Sequence, residues 1–383
     1  MGLSESNAYR QLTIAWVDGR TKYNRCMSRK WMSLLAILVL AMAVLGALPS
    51  PIEPVAFSPS SSPELVGPLE PNELLASAEL LRKGRLAGPE DVDIDDFGRI
   101  YCGVEDGTIE RLEPSDGGYR IETFASTGGR PLGLDTDASG LLWVADSERG
   151  LLSVDRLGTV AVRAQEAAGI PFGFADDVAV ASNGKVYFSD ASTRYGPSEM
   201  VYEALEARPY GRLLEYDPIT DQTRVVLDSL YFANGVAVAP DDSYVLVAET
   251  FRYRIQRLWL KGPKTGQAEI FADNLPGFPD GVSATDRGTF WVALYDLRSP
   301  LLDRYVHPRP WLKRLLAKLP RALLAKKPRY GLVLEVDRAG RILRSLHDPT
   351  GKHLAAITSV EEHDGHLYLG TVKGDAIGRY RLP

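Results

Sequence analysis

The chain has 383 residues, 45% hydrophobic and 25% charged, which is the balance of a globular protein too long for one small domain. Its net charge of −6 argues against nucleic acid as a partner. There are two cysteines, Cys26 and Cys102, and five histidines, all beyond residue 306; neither a disulfide framework nor a zinc ligand pair can be built from them.

Residues 1–30 form a basic N-terminus, with Arg20, Lys22, Arg25, Arg29 and Lys30 leading into residues 31–48, an uncharged apolar run near the lower length limit for a membrane span. No Lys or Arg follows until Arg82, so the positive-inside rule predicts a transmembrane signal-anchor with the remainder on the extracytoplasmic side. The rival reading is a cleaved signal peptide and a secreted protein; a true start at Met27 would favour it by shortening the leader. Residues 49–73 are dense in Pro and Ser and read as an extended linker.

From residue 74 to 383 one pattern recurs six times. The copies are PEDVDIDDFGRIYCG from Pro89, PLGLDTDASGLLWVA from Pro131, ADDVAVASNGKVYFS from Ala175, ANGVAVAPDDSYVLVA from Ala233, PDGVSATDRGTFWVA from Pro279 and ITSVEEHDGHLYLG from Ile357. Alternating apolar positions, a turn and a second apolar run signal a β-hairpin. Recurrence at about 40–50 residues predicts an all-β fold, a six-bladed β-propeller. Segments such as GTIERLEP (107–114) and GRLLEYDP (211–218) add a third or fourth strand to each blade.

The aligned apolar positions are Val92, Leu134, Val178, Val236, Val282 and Val360, and their spacing is widest before the last copy. That gap holds an insertion, 298–328. In it Trp311, Leu312, Leu315, Leu316 and Leu319 fall at helical spacing beside Lys313, Arg314 and Lys318, a short basic amphipathic helix that Pro320 limits. It suits either a lid over the propeller or contact with an anionic membrane.

Two residues before each aligned position stand Glu90, Leu132, Asp176, Asn234, Asp280 and Thr358. Equivalent positions of successive blades ring the central axis, so Glu90, Asp176, Asn234 and Asp280 would converge at the channel mouth. Three carboxylates and an amide, without His or Cys, suit Ca²⁺. Taken singly, each would be an ordinary turn cap. Asp91 and Asp177, one position later, are expected to face solvent, as are His307 and His347; Cys102 is expected in the core, and His353 in a loop near the mouth. No G-x-S-x-G elbow, P-loop or strand-linked G-x-G-x-x-G is present.

The segments GPEDV, RPLGL, YFANGVAVAPDDSYVLVAET, LPGFPDGV and EEHDGHLYLGT resemble the strictosidine synthase-like family, in particular its membrane-associated branch, over roughly residues 76–383. That family is similar in turn to the paraoxonases and the gluconolactonase hydrolases. The resemblance implies a channel calcium held by Glu90, Asp176, Asn234 and Asp280, with Asp176 replacing a usual asparagine and Gly281 standing where relatives often carry another donor. It also implies a glutamate in the last blade for amine–aldehyde condensation. Here that region reads Ile357-Thr358-Ser359-Val360, and Glu361 and Glu362 are expected to face solvent, so condensation is disfavoured. The expectation is a membrane-tethered, calcium-dependent hydrolase of small esters or lactones, with Asp280 activating water. The alternative is a non-enzymatic binding propeller with a structural calcium.

Overall fold

A computed structural model describes residues 31–33, 46, 48–324 and 328–383. The six copies each open a four-stranded antiparallel sheet, and the six sheets are the blades of a propeller. The innermost strands run over 92–94, 131–136, 175–180, 233–238, 277–284 and 357–363. The first five blades are continuous in sequence. The sixth takes its outermost strand from Glu79–Leu81, which pairs with Ile377–Arg381, so the two ends of the domain close the circle in one sheet. Leu81 and Ile377 are buried in that pairing, and Arg379 forms an ion pair with Glu79 at its rim.

The cores lie between blades. Blades four and five share Leu246, Ile255, Phe290, Val292 and Leu334; blades one and two share Tyr101, Ile109, Val144 and Leu152. Alternation along each strand supplies apolar side chains to both sheet faces, and each fully buried Val, Leu or Phe contributes about 1.5–3 kcal/mol. Cys102 is one of these core residues, a buried free thiol whose pKa burial pushes up.

The apolar run 31–48 lies, apart from 31–33, Gly46 and Leu48, outside the described residues, as do Cys26 and the basic N-terminus. Among the described residues no helix is long and apolar enough to cross a membrane. The Pro/Ser segment holds no strand and one short turn of 3-10 helix, Gly67–Leu69, and it is laid onto the propeller. Ile52 and Leu69 are buried, and Val55 N–H donates to the Glu206 carbonyl.

Two insertions leave the loops between second and third strands: 191–210 in blade three, with a helix Met200–Glu206, and 298–330 in blade five, with a helix Pro310–Leu316. Antiparallel connectivity puts both on the face where the innermost strands begin. There Ile52, Tyr195, Leu205 and Ala317 form a small separate core, a cap of three chain segments. The insertion helix ends before the expected Leu319, and its faces are partly inverted. Trp311 is 62% exposed, whereas Lys313 is fully buried with its ammonium on the Val55 carbonyl at 2.8 Å. The linker supplies the acceptor that makes the inversion possible.

Candidate metal centre at the channel mouth

The innermost strands carry a register slip just before the aligned apolar residue, between Ala175 and Val178, Ala233 and Val236, and Pro279 and Val282. Such a bulge frees two successive residues from the ladder and turns their side chains in different directions. Both residues can then be polar, and the two do different things.

The first of them forms the ring read from the sequence. Glu90, Asp176, Asn234 and Asp280 are all buried, between 5% and 8% exposed. They act on one another. Burial, then the Glu90 and Asp280 charges, drives Asp176 well above the usual carboxylate range. Asp280 is raised by burial and by Glu90, and the Asn234 amide hydrogen-bonds to it. Glu90 rises to about 8, from burial and the neighbouring Asp91. One oxygen of Asp176, Oδ2, is buried with no hydrogen-bond partner among the described residues. The other two ring positions are closed. Leu132 packs with Phe174, Ala191 and Phe232, and the Thr358 hydroxyl donates to the Glu90 carbonyl at 2.6 Å.

Among the described residues no three His, Cys, Asp or Glu side chains form a ready-made metal cluster. The ring nevertheless has the chemistry a hard divalent cation requires: three mutually repelling carboxylates, an amide oxygen, and a buried oxygen lacking any partner. Two groups that the sequence reading passed over join it. Arg130 is close enough to Glu90 to lower its pKa, donates Nη2 to the Gly88 carbonyl at 2.8 Å, and keeps Nη1 buried and unpartnered. Tyr295, raised to about 12 by burial and the Asp280 charge, lies on the Asp280 side. Arg130 precedes Pro131 in the RPLGL segment, four residues ahead of the aligned Leu134, and that position was the available signal.

The second bulge residue behaves differently. Asp91 and Asp177 do not face bulk solvent. Asp91 accepts from Val92 N–H at 2.8 Å and from Leu134 N–H of the next blade at 2.7 Å. Asp177 accepts from Val178 N–H at 2.8 Å and from Val236 N–H of the next blade at 2.7 Å. Where this position is glycine the blades touch directly: a Cβ on Gly235 would sit 2.2 Å from the Asp280 carbonyl, and one on Gly281 2.5 Å from that of Thr358. A longer donor at Gly281 has no room.

Beside the ring the channel holds a cavity of about 240 Å³, lined by Asp91, Asp93, Asp135, Asp177 and Glu361 among small apolar residues. Glu361 therefore belongs to the channel, where burial and Asp93 raise its pKa. Glu362 accepts from Trp291 Nε1 and pairs with Arg287. His307 and His347 are buried where a surface position was expected, while His353 lies in a loop. His307 packs against Phe57 in the cap, and burial takes its pKa down to about 3. His347 is buried between Tyr330 and Ser345, and His353 is bonded to the Ala78 carbonyl.

The profile described as strictosidine synthase matches residues 176–263, and one described as strictosidine synthase-like, N-terminal, matches 67–112. The mouse adipocyte plasma membrane-associated protein is 37% identical over 377 aligned positions, covering 91% of this chain and 89% of the relative. The Arabidopsis thaliana protein strictosidine synthase-like 4 is 35% identical, covering 84% and 86%. Among solved structures, a gluconolactonase from Xanthomonas campestris superposes with a TM-score of 0.59 at 16% identity, covering 88% of this chain and 99% of that one. Regucalcin from Agrobacterium tumefaciens, a calcium-binding protein, gives 0.56 at 14%, covering 79% and 92%. At such identities the likeness is one of fold.

Proposed function

Since the chain belongs to the strictosidine synthase-like family, which includes the adipocyte plasma membrane-associated proteins, we propose that it is a hydrolase of small carboxylic esters or lactones. In this reading it is held at a membrane by residues 31–48, with the propeller on the extracytoplasmic side. Glu90, Asp176, Asn234 and Asp280 would hold Ca²⁺. The reading is supported by the burial of these four residues and by their action on one another, Asp176 being raised by the Glu90 and Asp280 charges and Asp280 being hydrogen-bonded by Asn234. Gluconolactonase and regucalcin, with the same fold, support the choice of reaction class and of ion.

When bound, the ion supplies Lewis-acid polarisation of a substrate carbonyl. The rest is asked of the chain itself. Asp280 takes a proton from the attacking water at a carboxylate oxygen, oriented by the Asn234 amide. With its pKa raised by burial and Glu90, Asp280 works as a base only once the ring's repulsion is neutralised. Arg130 Nη1, an unused buried donor, is available to the oxygen on which charge develops. Thr358, whose hydroxyl is committed to Glu90, has no carboxyl to offer an amine.

The full-length protein, assayed with phenyl acetate and a panel of small lactones, should turn over at least one substrate and lose that activity to a chelator. A second reading rests on the aromatic cluster of Phe174, Phe232 and Phe251 packed with Leu132, the apolar member of the same column. A binding propeller with a structural ion would show no turnover on the panel, yet would melt at lower temperature after chelation.

A further inference from the structure

The cap carries a surface that water does not explain. Leu301, Tyr305, Trp311 and Leu323 are 62%, 46%, 62% and 73% exposed, all within one insertion. Three of the other large exposed apolar residues, Phe97, Leu157 and Ile219, stand singly in hairpin turns on the opposite face, an ordinary occurrence. Four within 23 residues of one insertion are a local concentration, and concentrated exposed apolar side chains point to a binding surface. The partly inverted helix sharpens the point, since Lys313 is buried while Trp311, on the same seven-residue helix, is presented outward.

Charge identifies the occupant. Residues 298–324 contain seven Lys and Arg and one acid, Asp303, in a chain whose net charge is −6. Asp303 is already engaged by Arg298 and Tyr253. Arg304, Arg309 and Arg314 are exposed beside the apolar side chains. Exposed Trp and Tyr interleaved with Arg match the interface of an anionic bilayer, where the rings sit at headgroup level and basic residues are drawn to the negative surface potential.

Chain continuity points the same way. Lys318 donates its ammonium to the Gly46 carbonyl at 3.1 Å, and Gly46 belongs to the apolar run 31–48. The end of that run thus lies against the same insertion. We propose that the exposed side of insertion 298–324 rests on the headgroup layer of an anionic lipid bilayer, docking the ring-bearing face of the propeller against the membrane. The proposal rests on the tether reading above and goes beyond it, because a tether on a free linker would leave this face in water.

The test uses full-length protein in phosphatidylcholine vesicles with and without phosphatidylserine, with brominated acyl chains as quenchers of Trp fluorescence. The difference between wild type and Trp311→Phe isolates Trp311, whose exposure makes the substitution harmless to folding. The expected result is a Trp311 component quenched by bromolipid in phosphatidylserine vesicles, and quenched at least about twofold less in neutral vesicles, in high salt, or in R304E/R314E. A Trp311 component indifferent to bromolipid would overturn the proposal, whether the residue faces water or a second copy revealed by cross-linking. A carbonate wash separates the two readings. Protein stripped by carbonate defeats the tether, while docking stands or falls on the quenching measured before the wash.

Discussion

Asp176 and Asp177 are neighbours in one bulge of one strand, and they end in opposite states. Asp177 has both carboxylate oxygens engaged by backbone N–H groups, one in its own blade and one in the next. Asp176 has an oxygen that nothing among the described residues satisfies. Glu90 and Asp91 repeat the division: Asp91 ties blade one to blade two, and Glu90 joins the ring. Carboxylates thus serve this propeller in two ways, as clamps between blades where donors are supplied, and as an incomplete ligand set where donors are withheld.

Substitutions can break that contrast. The largest expected effect is on chemistry: Asp280→Asn should lower ester or lactone turnover by about 10²–10⁴-fold while circular dichroism stays that of the folded propeller. Full activity in that variant would remove Asp280 from the mechanism. Next comes the clamp. Asp177→Ala strands the Val236 and Val178 N–H groups and should cost about 3 kcal/mol in urea unfolding. Asp176→Ala, which strands no donor, should leave unfolding without calcium unchanged or stabilised.

Calcium at about a hundredfold excess over its Kd should stabilise the wild type by about 2.7 kcal/mol, read as a rise in melting temperature. The gain should vanish in Asp176→Ala and persist in Arg130→Gln; persistence in Asp176→Ala would mean the ion binds elsewhere. The last effect, spread over several pH units, concerns Glu203 in the cap, a buried carboxyl outside the ring. Its Oε1 has no partner, Ser192 donates to its Oε2, and burial raises its pKa to about 8. Between the ordinary value near 4.5 and about 8 the folded state holds a proton that the unfolded state has lost. Stability from this group is therefore full below that window and falls across it as pH rises, by at most about 1.4 kcal/mol per pH unit. Glu203→Gln should flatten the slope of unfolding free energy against pH over that window, and an unchanged slope would show that Glu203 does not titrate there.

Much of the fold was legible because its signals are local. Alternation, turn residues and recurrence each lie within a short window, and together they specify six hairpins and the column Glu90, Asp176, Asn234 and Asp280. The departures were all contacts between segments distant in the chain. Asp91 and Asp177 looked solvated because their donors, Leu134 and Val236, belong to the next blade. Glu361 looked like a turn residue because the channel exists only after the circle closes. Lys313 and His307 looked exposed because their cover comes from the linker, some 250 residues earlier.

The sequence alone therefore determined the repeat, the blade number and which residue types stand at the inner end of each strand, since periodicity and turn chemistry act over a few residues. Only the tertiary structure decided which carboxylates have their lone pairs satisfied and which do not. A hydrogen bond between blades depends on the closure of the whole ring, and no stretch of sequence encodes the distance between two strands that meet across it.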